Sequence, residues 1–160
     1  MIKEKCLDGV DEVYGLHNIP YFDEGDIRVC EGPIFAAIST VRITVKGRGG
    51  HGSTPHQIVD PIACACKIMS AFHSIKSRSI SNRENFVFTI CHVKAGTADN
   101  VFPDEAFMSG TIRTYNTETQ EKIFSRIRSI CNGIADAMEC SIDVQLDVDY
   151  PPTINHATES

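Results

Sequence analysis

The order in which strand-like and helix-like hydrophobic patterns follow one another restricts the fold of this chain more than any other feature. Apolar and polar residues alternate over residues 38–46, which is the period-two pattern of a strand with one buried face. Asp60 and Pro61 then form a helix-start signal, and apolar residues recur at helical spacing up to about Ser77. The sequence therefore predicts a strand followed by a helix.

The second half of the chain repeats this order with one more strand. Residues 86–93 and 106–115 predict two long strands, which the loop at 95–100 should join as an antiparallel pair. Thr117 and Gln120 form a capping-box pattern ahead of an apolar helical stripe, and residues 141–148 alternate again. The predicted order is β-α-β-β-α-β over about residues 38–149.

This order predicts an α+β protein of ferredoxin-like fold, in which one antiparallel sheet carries both helices on the same face. Two further short strands are predicted ahead of it, at residues 12–17 and 27–30. Many different functions occur on the ferredoxin-like fold, so the fold by itself selects none of them.

Composition argues against several classes of partner. The net charge is −6 and the 15 Lys and Arg residues are scattered, which disfavours nucleic acid. No apolar run approaches the ~20 residues of a membrane helix, and residues 1–5 lack a signal-peptide pattern. We therefore expect no membrane partner and a cytoplasmic location. The seven cysteines include no C-x-x-C pair, which favours buried thiols over disulfides or zinc sites.

Residues 47–56 form a glycine-dense loop that carries His51 and His56. Glycine permits unusual backbone angles and the close approach of another group, so the loop is suited to presenting a side chain. The loop also matches G-x-G-x-x-G, but no helix opens at the third glycine, which argues against a dinucleotide site. The two histidines lack nearby Cys, Asp or Glu partners, which favours His51 as a polar-contact residue over a metal ligand.

Three further residues each have a structural and a functional interpretation. His17, near the end of a predicted strand, is a structural histidine on local grounds alone. Arg113, late in a strand, is either solvated or binds a carboxylate through its guanidinium, and without context the solvated state is favoured. Asn100 lies at a loop-to-strand junction, where its amide either caps the turn or donates to a ligand, and the sequence favours the two interpretations equally.

Six motifs, in order and with matching spacing, together resemble one family over essentially the whole chain. The motifs are Tyr14-Gly15-Leu16-His17-Asn18-Ile19-Pro20, Gly47-Arg48-Gly49-Gly50-His51 with Pro55-His56, Val59-Asp60-Pro61, Gly96 with Asn100-Val101-Phe102-Pro103-Asp104, Gly110-Thr111-Ile112-Arg113 and Tyr150-Pro151-Pro152-Thr153. The family is that of the metal-dependent amidohydrolases, which includes aminoacylases, hippurate hydrolase and the plant auxin-conjugate hydrolases.

Members of this family have a catalytic domain with two divalent metal ions and an inserted lid, or dimerisation domain, of ferredoxin-like fold. The resemblance implies that residues 37–149 are the lid, residues 1–36 a flanking segment of the catalytic domain, and residues 150–160 the return into it. The family's Cys-Gly-His-Asp and Glu-Glu segments, which supply most metal ligands and the general base, have no counterpart in this sequence. The 160-residue chain alone is therefore expected to be inactive.

The resemblance also implies roles for four residues. His17 matches a metal-ligand histidine, which reverses its structural interpretation. His51 is similar to the lid histidine that stabilises the oxyanion of the reaction, usually in the partner subunit's site, and Asn100 looks like its companion near the substrate. Arg113 looks like the arginine that binds the substrate's free carboxylate. The full-length protein is then expected to hydrolyse the amide bond of an N-acyl amino acid or amino acid conjugate with two Zn or Mn ions.

An alternative from another class is a free-standing ferredoxin-like module that binds a small molecule or dimerises without catalysis. In the predicted strand order, residues 86–91 form an edge strand with apolar residues on both faces. Such an edge favours pairing with another chain. We therefore expect a symmetric homodimer built on this strand, with a contribution from the helix at residues 61–77.

Overall fold

The computed structural model describes residues 2–157, which contain eight strands and two long helices. In chain order these elements are β1 (Gly32–Phe35), β2 (Ala37–Lys46), β3 (Gly50–His51), α1 (Pro61–Ser74), β4 (Phe86–Ala95), β5 (Val101–Phe102), β6 (Glu105–Thr114), α2 (Thr117–Ala137), β7 (Ser141–Tyr150) and β8 (Thr153–Asn155). A π-helical turn, Ile75–Ser79, extends α1.

Four of the strands form one antiparallel sheet in the order β4-β6-β2-β7. Along the chain the four strands follow one another as β2, β4, β6 and β7. The first and third of them, β2 and β6, are the central pair of the sheet, and β4 and β7 are its edges. This is the strand order of the ferredoxin-like fold, so the predicted fold class and the antiparallel pairing of β4 with β6 are confirmed.

The core lies between this sheet and the two helices. β2 buries alternate residues, and Val41, Ile43 and Val45 are fully inaccessible to solvent. These side chains belong to one cluster with equally buried residues from β6 and both helices: Ile68, Met108, Ile112, Ile123 and Ile127. Burial of one such side chain contributes about 1.5–3 kcal/mol relative to exposure. The buried residues of β2 lie on one face of the sheet and belong to the same cluster as residues of both helices, so both helices lie on that face.

Each of the two helices begins at a capping residue. The cap of α1 is the predicted one, and the cap of α2 is not. The Asp60 carboxylate accepts hydrogen bonds from the N–H groups of Ile62 and Ala63 at 2.8 and 3.1 Å, as the helix-start signal indicates. For α2 the predicted capping box is wrong, because Asn116 is the N-cap and accepts from Thr119 N at 2.7 Å. Gln120, which was to complete the box, is buried and donates to Ser39 Oγ at 2.9 Å.

Within residues 2–157, no helix combines the length and apolar character needed to cross a lipid bilayer.

The two strands predicted ahead of the sheet, at residues 12–17 and 27–30, are wrong. Both segments are irregular and exposed, because no part of the described chain pairs with either of them. The structure instead pairs β1 with β8 as an antiparallel ribbon, with Gly32 opposite Asn155. This ribbon places the entry to the central sheet beside the exit from it.

The seven cysteines fall into two groups. Three are buried, near the contact between the helices: Cys64, Cys131 and Cys140. Burial raises the pKa of the Cys64 and Cys131 thiols to about 12. The other four are exposed in this chain, so the expectation of buried thiols is wrong for them: Cys6, Cys30, Cys66 and Cys91.

Candidate functional site

The glycine-dense loop and the loop that precedes β6 meet in a two-stranded ribbon at one end of the sheet. In this ribbon β3 pairs with β5, with Gly50 opposite Phe102 and His51 opposite Val101. Gly52 N donates to the Asn100 carbonyl oxygen at 2.8 Å. The structure therefore brings two of the predicted site residues, His51 and Asn100, to the same place.

The glycines of this loop are required by close contact with the chain's own backbone. A Cβ on Gly47 would collide with the Val59 carbonyl oxygen, and one on Gly49 would collide with that of Phe102. Asp104 anchors both positions, since its carbonyl oxygen accepts from Gly47 N at 2.8 Å and its Oδ1 from Gly49 N at 2.9 Å. Asp104 has no role predicted from the sequence; an aspartate directly before a strand is the signal that could have suggested one.

His51 is exposed, and its ring orientation follows from its contacts with Ser53. Ser53 N donates to His51 Nδ1 at 3.2 Å, and Ser53 Oγ lies 2.8 Å from the same nitrogen. Because a backbone N–H can only donate, Nδ1 acts as the acceptor, and in the neutral ring the proton lies on Nε2. The imidazole thus offers an N–H donor on its far side, turned away from its own loop.

Asn100 holds its backbone in the ribbon and leaves its amide group available. Its carbonyl oxygen is the acceptor for Gly52, while the side chain is exposed and makes no hydrogen bond within residues 2–157. Of its two interpretations, the turn-capping one is not observed in the structure.

Arg113 lies far from His51. It occupies the second-to-last position of β6, opposite Ile38 on one side and Val87 on the other, whereas the His51 loop lies beside the first residue of that strand. Arg113 is eight residue steps along β6 from Glu105, about 26 Å at strand geometry. Alternate residues of β6 face the helices, so Arg113 points from the opposite face, into a cleft of about 570 Å³.

His17 is exposed on the irregular segment ahead of β1. Its Nδ1 lies 2.9 Å from the Asn18 carbonyl oxygen, and its ring lies 5.3 Å from that of Phe35. Over residues 2–157 no group of three or more His, Cys, Asp or Glu side chains could hold a metal ion. The described residues therefore do not form a metal centre by themselves.

Comparison with known proteins places this geometry in a family. The family profile of a peptidase dimerisation domain matches residues 37–139. The chain is 43% identical over 135 residues to N-acetylcysteine deacetylase of Bacillus subtilis, covering 84% of this chain and 36% of that protein. It is 34% identical over 156 residues to an N-acyl-L-amino acid amidohydrolase of Geobacillus stearothermophilus, covering 98% and 42%.

A solved structure agrees in fold and in family. The YXEP protein of Bacillus subtilis, a dinuclear metal binding peptidase of the M20 family, superposes with a TM-score of 0.76 at 30% identity, over 98% of this chain and 38% of that one. The chain thus spans 36–42% of the length of these three proteins. The resemblance carried by the six motifs is confirmed, and the chain belongs to the M20 family of metal-dependent peptidases and amidohydrolases, whose dimerisation domain it contains.

Proposed function

We propose that this chain is the lid of an enzyme that hydrolyses the amide bond of N-acyl amino acids. The names of the two deacylating relatives support this substrate class. The observation that carries the proposal is the outward donor of His51, held beside the unengaged amide of Asn100 on a rigid ribbon. A binding module without catalysis requires no such pair, so no observation favours the free-standing alternative.

The proposed organisation assigns residues 37–149 to the lid, residues 1–36 to a flanking segment of the catalytic domain and residues 150–160 to the return into it. The β1–β8 ribbon supports this assignment because it brings the two flanks together. The first flank also exposes apolar side chains to an unusual degree, with Leu16 88% and Tyr21 90% accessible. Exposed apolar groups of this kind are typical of a surface that another part of a protein covers.

The enzyme is proposed to hold two divalent ions, Zn or Mn. The dinuclear relative supports the number of ions. In this chain only His17 is assigned to them, and one imidazole fills one coordination position. The remaining ligands, with the general base, are assigned to parts of the protein outside this sequence.

His51 and Asn100 are proposed to stabilise the oxyanion that develops when the amide carbonyl is attacked. The Nε2–H of His51 and the side-chain NH₂ of Asn100 are both donors. Donors fixed before the reaction stabilise developing charge without reorganising, which makes them effective in a site that excludes water. The ribbon hydrogen bonds and the Asp104 contacts supply this rigidity.

Arg113 is proposed to bind the free carboxylate of the substrate. Its guanidinium makes no hydrogen bond or ion pair within the described part of the chain and borders an open cleft. A planar guanidinium pairs with a carboxylate through two parallel hydrogen bonds, which fixes the orientation of a bound acyl amino acid.

The roles of His51 and Arg113 fit one active site only if two lids contribute to it. In a single lid the two residues lie at opposite ends of β6, which are about 26 Å apart, too far for contact with one small substrate. We propose a homodimer in which β4 pairs with β4 of the partner. This edge is apolar, and it borders a groove of about 500 Å³ against α1 that includes Met69 and Phe72.

Two-fold symmetry then brings the separated residues together. Two copies of one edge strand related by a two-fold axis perpendicular to the sheet pair antiparallel. The Phe86 end of β4, beside Arg113, therefore lies next to the Ala95 end of the partner's strand, beside its loop with His51 and Asn100. Counted across the joined sheet, Arg113 of one subunit and the loop with His51 of the partner are two to three strand spacings apart, about 10–14 Å. Closure of the catalytic domain over this surface would complete the site.

Hydrolysis assays on the full-length protein test this function. Purified protein is expected to release free amino acid from N-acetyl-L-methionine, to lose this activity with a chelator, and to regain it with Zn²⁺ or Mn²⁺. The 160-residue chain alone is expected to release none. Metal-dependent hydrolysis by the short chain, or none by the full-length protein at any metal loading, would refute the proposal.

A further inference from the structure

A second guanidinium borders the cleft that contains Arg113. Arg83 lies in the loop between the π-helical turn and β4, and it lines the same cleft of about 570 Å³. The cleft walls include Pro33 and Tyr115 together with the first residues of β4. Arg83 is in none of the six motifs that identify the family and takes no part in the proposed mechanism.

The charges around this cleft are unbalanced. Glu84 is its one lining carboxylate, and Glu84 Oε2 already accepts from Asn116 Nδ2 at 2.8 Å and from Thr119 Oγ1 at 3.1 Å. That carboxylate is therefore bound to the N-terminal turn of α2. Across residues 2–157, no carboxylate forms an ion pair with either Arg83 or Arg113. Two arginines thus border one cleft whose single carboxylate is otherwise engaged.

The surroundings strengthen the attraction of this pair for an anion. Pro33, Phe86 and Val87 also line the cleft, and their apolar groups would displace water from one side of a bound ligand. Coulombic attraction increases as water is excluded, and each guanidinium can form a planar fork with one carboxylate. A ligand with two carboxylates would satisfy both arginines, whereas one carboxylate would satisfy only one of them.

We propose that Arg83 is a specificity-determining residue that binds a second carboxylate, on the side chain of the substrate. Arg113 binds the α-carboxylate that every N-acyl amino acid carries, and Arg83 selects N-acyl derivatives of acidic amino acids. This inference rests on the function proposed above, because it uses the same substrate orientation. It adds the class of side chain that the site prefers.

The test compares two substrates of nearly equal shape in the full-length, metal-loaded enzyme. N-acetyl-L-glutamate carries the second carboxylate, and N-acetyl-L-glutamine replaces it with a neutral amide. The wild type is expected to favour the glutamate derivative in kcat/KM. Arg83→Gln should lower kcat/KM for N-acetyl-L-glutamate by about tenfold or more, mainly through KM, because a charge-assisted pair is lost. The same change should leave N-acetyl-L-glutamine within about threefold.

Two further variants separate a specific effect from a general one. Arg83→Lys keeps the charge without the fork and should retain part of the preference. Arg126→Gln removes an exposed arginine from α2, outside the cleft, and should not change the substrate ratio. Equal effects of Arg83→Gln on both substrates, or a wild type that does not favour the acidic one, would overturn this inference and leave the proposed function standing. Failure to hydrolyse either substrate or N-acetyl-L-methionine would instead contradict the proposed function itself.

Discussion

At the scale of single residues, the position of one proton on His51 determines what the proposed lid could offer to a substrate. The backbone N–H of Ser53 occupies Nδ1, so the neutral ring carries its proton on Nε2, the nitrogen that is turned outward. The Ser53 hydroxyl adds a second contact to the same nitrogen. Substitution of Ser53 by alanine removes the hydroxyl contact but keeps the backbone contact. His51→Ala and Ser53→Ala are therefore expected to differ in effect.

His51→Ala in the full-length enzyme is expected to lower kcat by about 100- to 1,000-fold, the effect of removing one oxyanion donor. KM should change little, because the donor acts on charge that develops during the reaction. Ser53→Ala should lower kcat by less than about fivefold, since the Ser53 N–H still orients the ring. Steady-state kinetics with N-acetyl-L-methionine measure both variants. Equal losses in the two would show that the hydroxyl, rather than the backbone, sets the tautomer.

The glycines of the same loop support a second prediction. Gly49→Ala places a Cβ against the Phe102 carbonyl and the Pro103 backbone, which must then move apart. We expect the 160-residue chain to lose about 1–3 kcal/mol of unfolding free energy, the usual cost of overpacking. Gly133→Ala is the matched control, because it adds the same methyl group in open space within α2 and should stabilise by about 0.5–1 kcal/mol. Urea unfolding measures both, and a neutral Gly49→Ala would contradict the close contact.

At the scale of the elements, the sequence predicted the long strands that find a partner within the chain. The ten-residue strands β2 and β7 each turn one face toward the core, buried in β2 and half-buried in β7, so the alternation in their sequences records the position of the core. The segments at 12–17 and 27–30 have suitable composition, but a strand also requires hydrogen-bonding partners, and the described chain provides none for them. The ribbons β1–β8 and β3–β5 were missed because segments of two to four residues are too short to show a period.

The edge strand β4 gives a prediction about assembly. Val87→Lys places a charge within the proposed interface, at the end of β4 that lies beside the Ala95 end of the partner's strand. Because burial of an unpaired charge is unfavourable, we expect the change to convert the dimer of the full-length protein to a monomer. Val148→Lys is the matched control on the opposite edge strand, since Val87 and Val148 are 56% and 55% exposed. Analytical ultracentrifugation at about ten micromolar distinguishes the two species. A dimer lost through Val148→Lys and kept in Val87→Lys would assign the interface to β7.

The packing of the helices gives a prediction about pH. Burial raises the pKa of the Cys64 and Cys131 thiols from 9.0 to about 12, so the folded chain favours their neutral forms. The unfolded chain loses these protons first as the pH rises, so their contribution to stability is complete below pH 9 and is lost between pH 9 and 12. The unfolding free energy should therefore fall more steeply with pH in the wild type than in a Cys64→Ala, Cys131→Ala double variant. Cys66→Ala, at an exposed position, should keep the wild-type slope; equal slopes in all three proteins would contradict the assignment.

At the scale of the whole molecule, the two halves of the candidate site lie at opposite ends of one sheet. The motifs indicated His17, His51, Asn100 and Arg113 as residues of one chemistry, but spacing along a chain does not reveal distance across a fold. The register of β6 supplies that distance and separates Arg113 from the loop with His51. In the proposed enzyme a symmetric pair of lids would bring these residues to one substrate, so that assembly and catalysis would be linked.

A heterodimer made from two inactive variants tests this link most directly. Differently tagged His51→Ala and Arg113→Ala chains of the full-length enzyme are coexpressed, and the mixed dimer is purified through both tags. If each site takes His51 from one subunit and Arg113 from the other, one of the two sites is intact, and the heterodimer should recover about half of the wild-type activity. A heterodimer as inactive as its two parent homodimers would show that both residues act within a single subunit, or that they do not share a site.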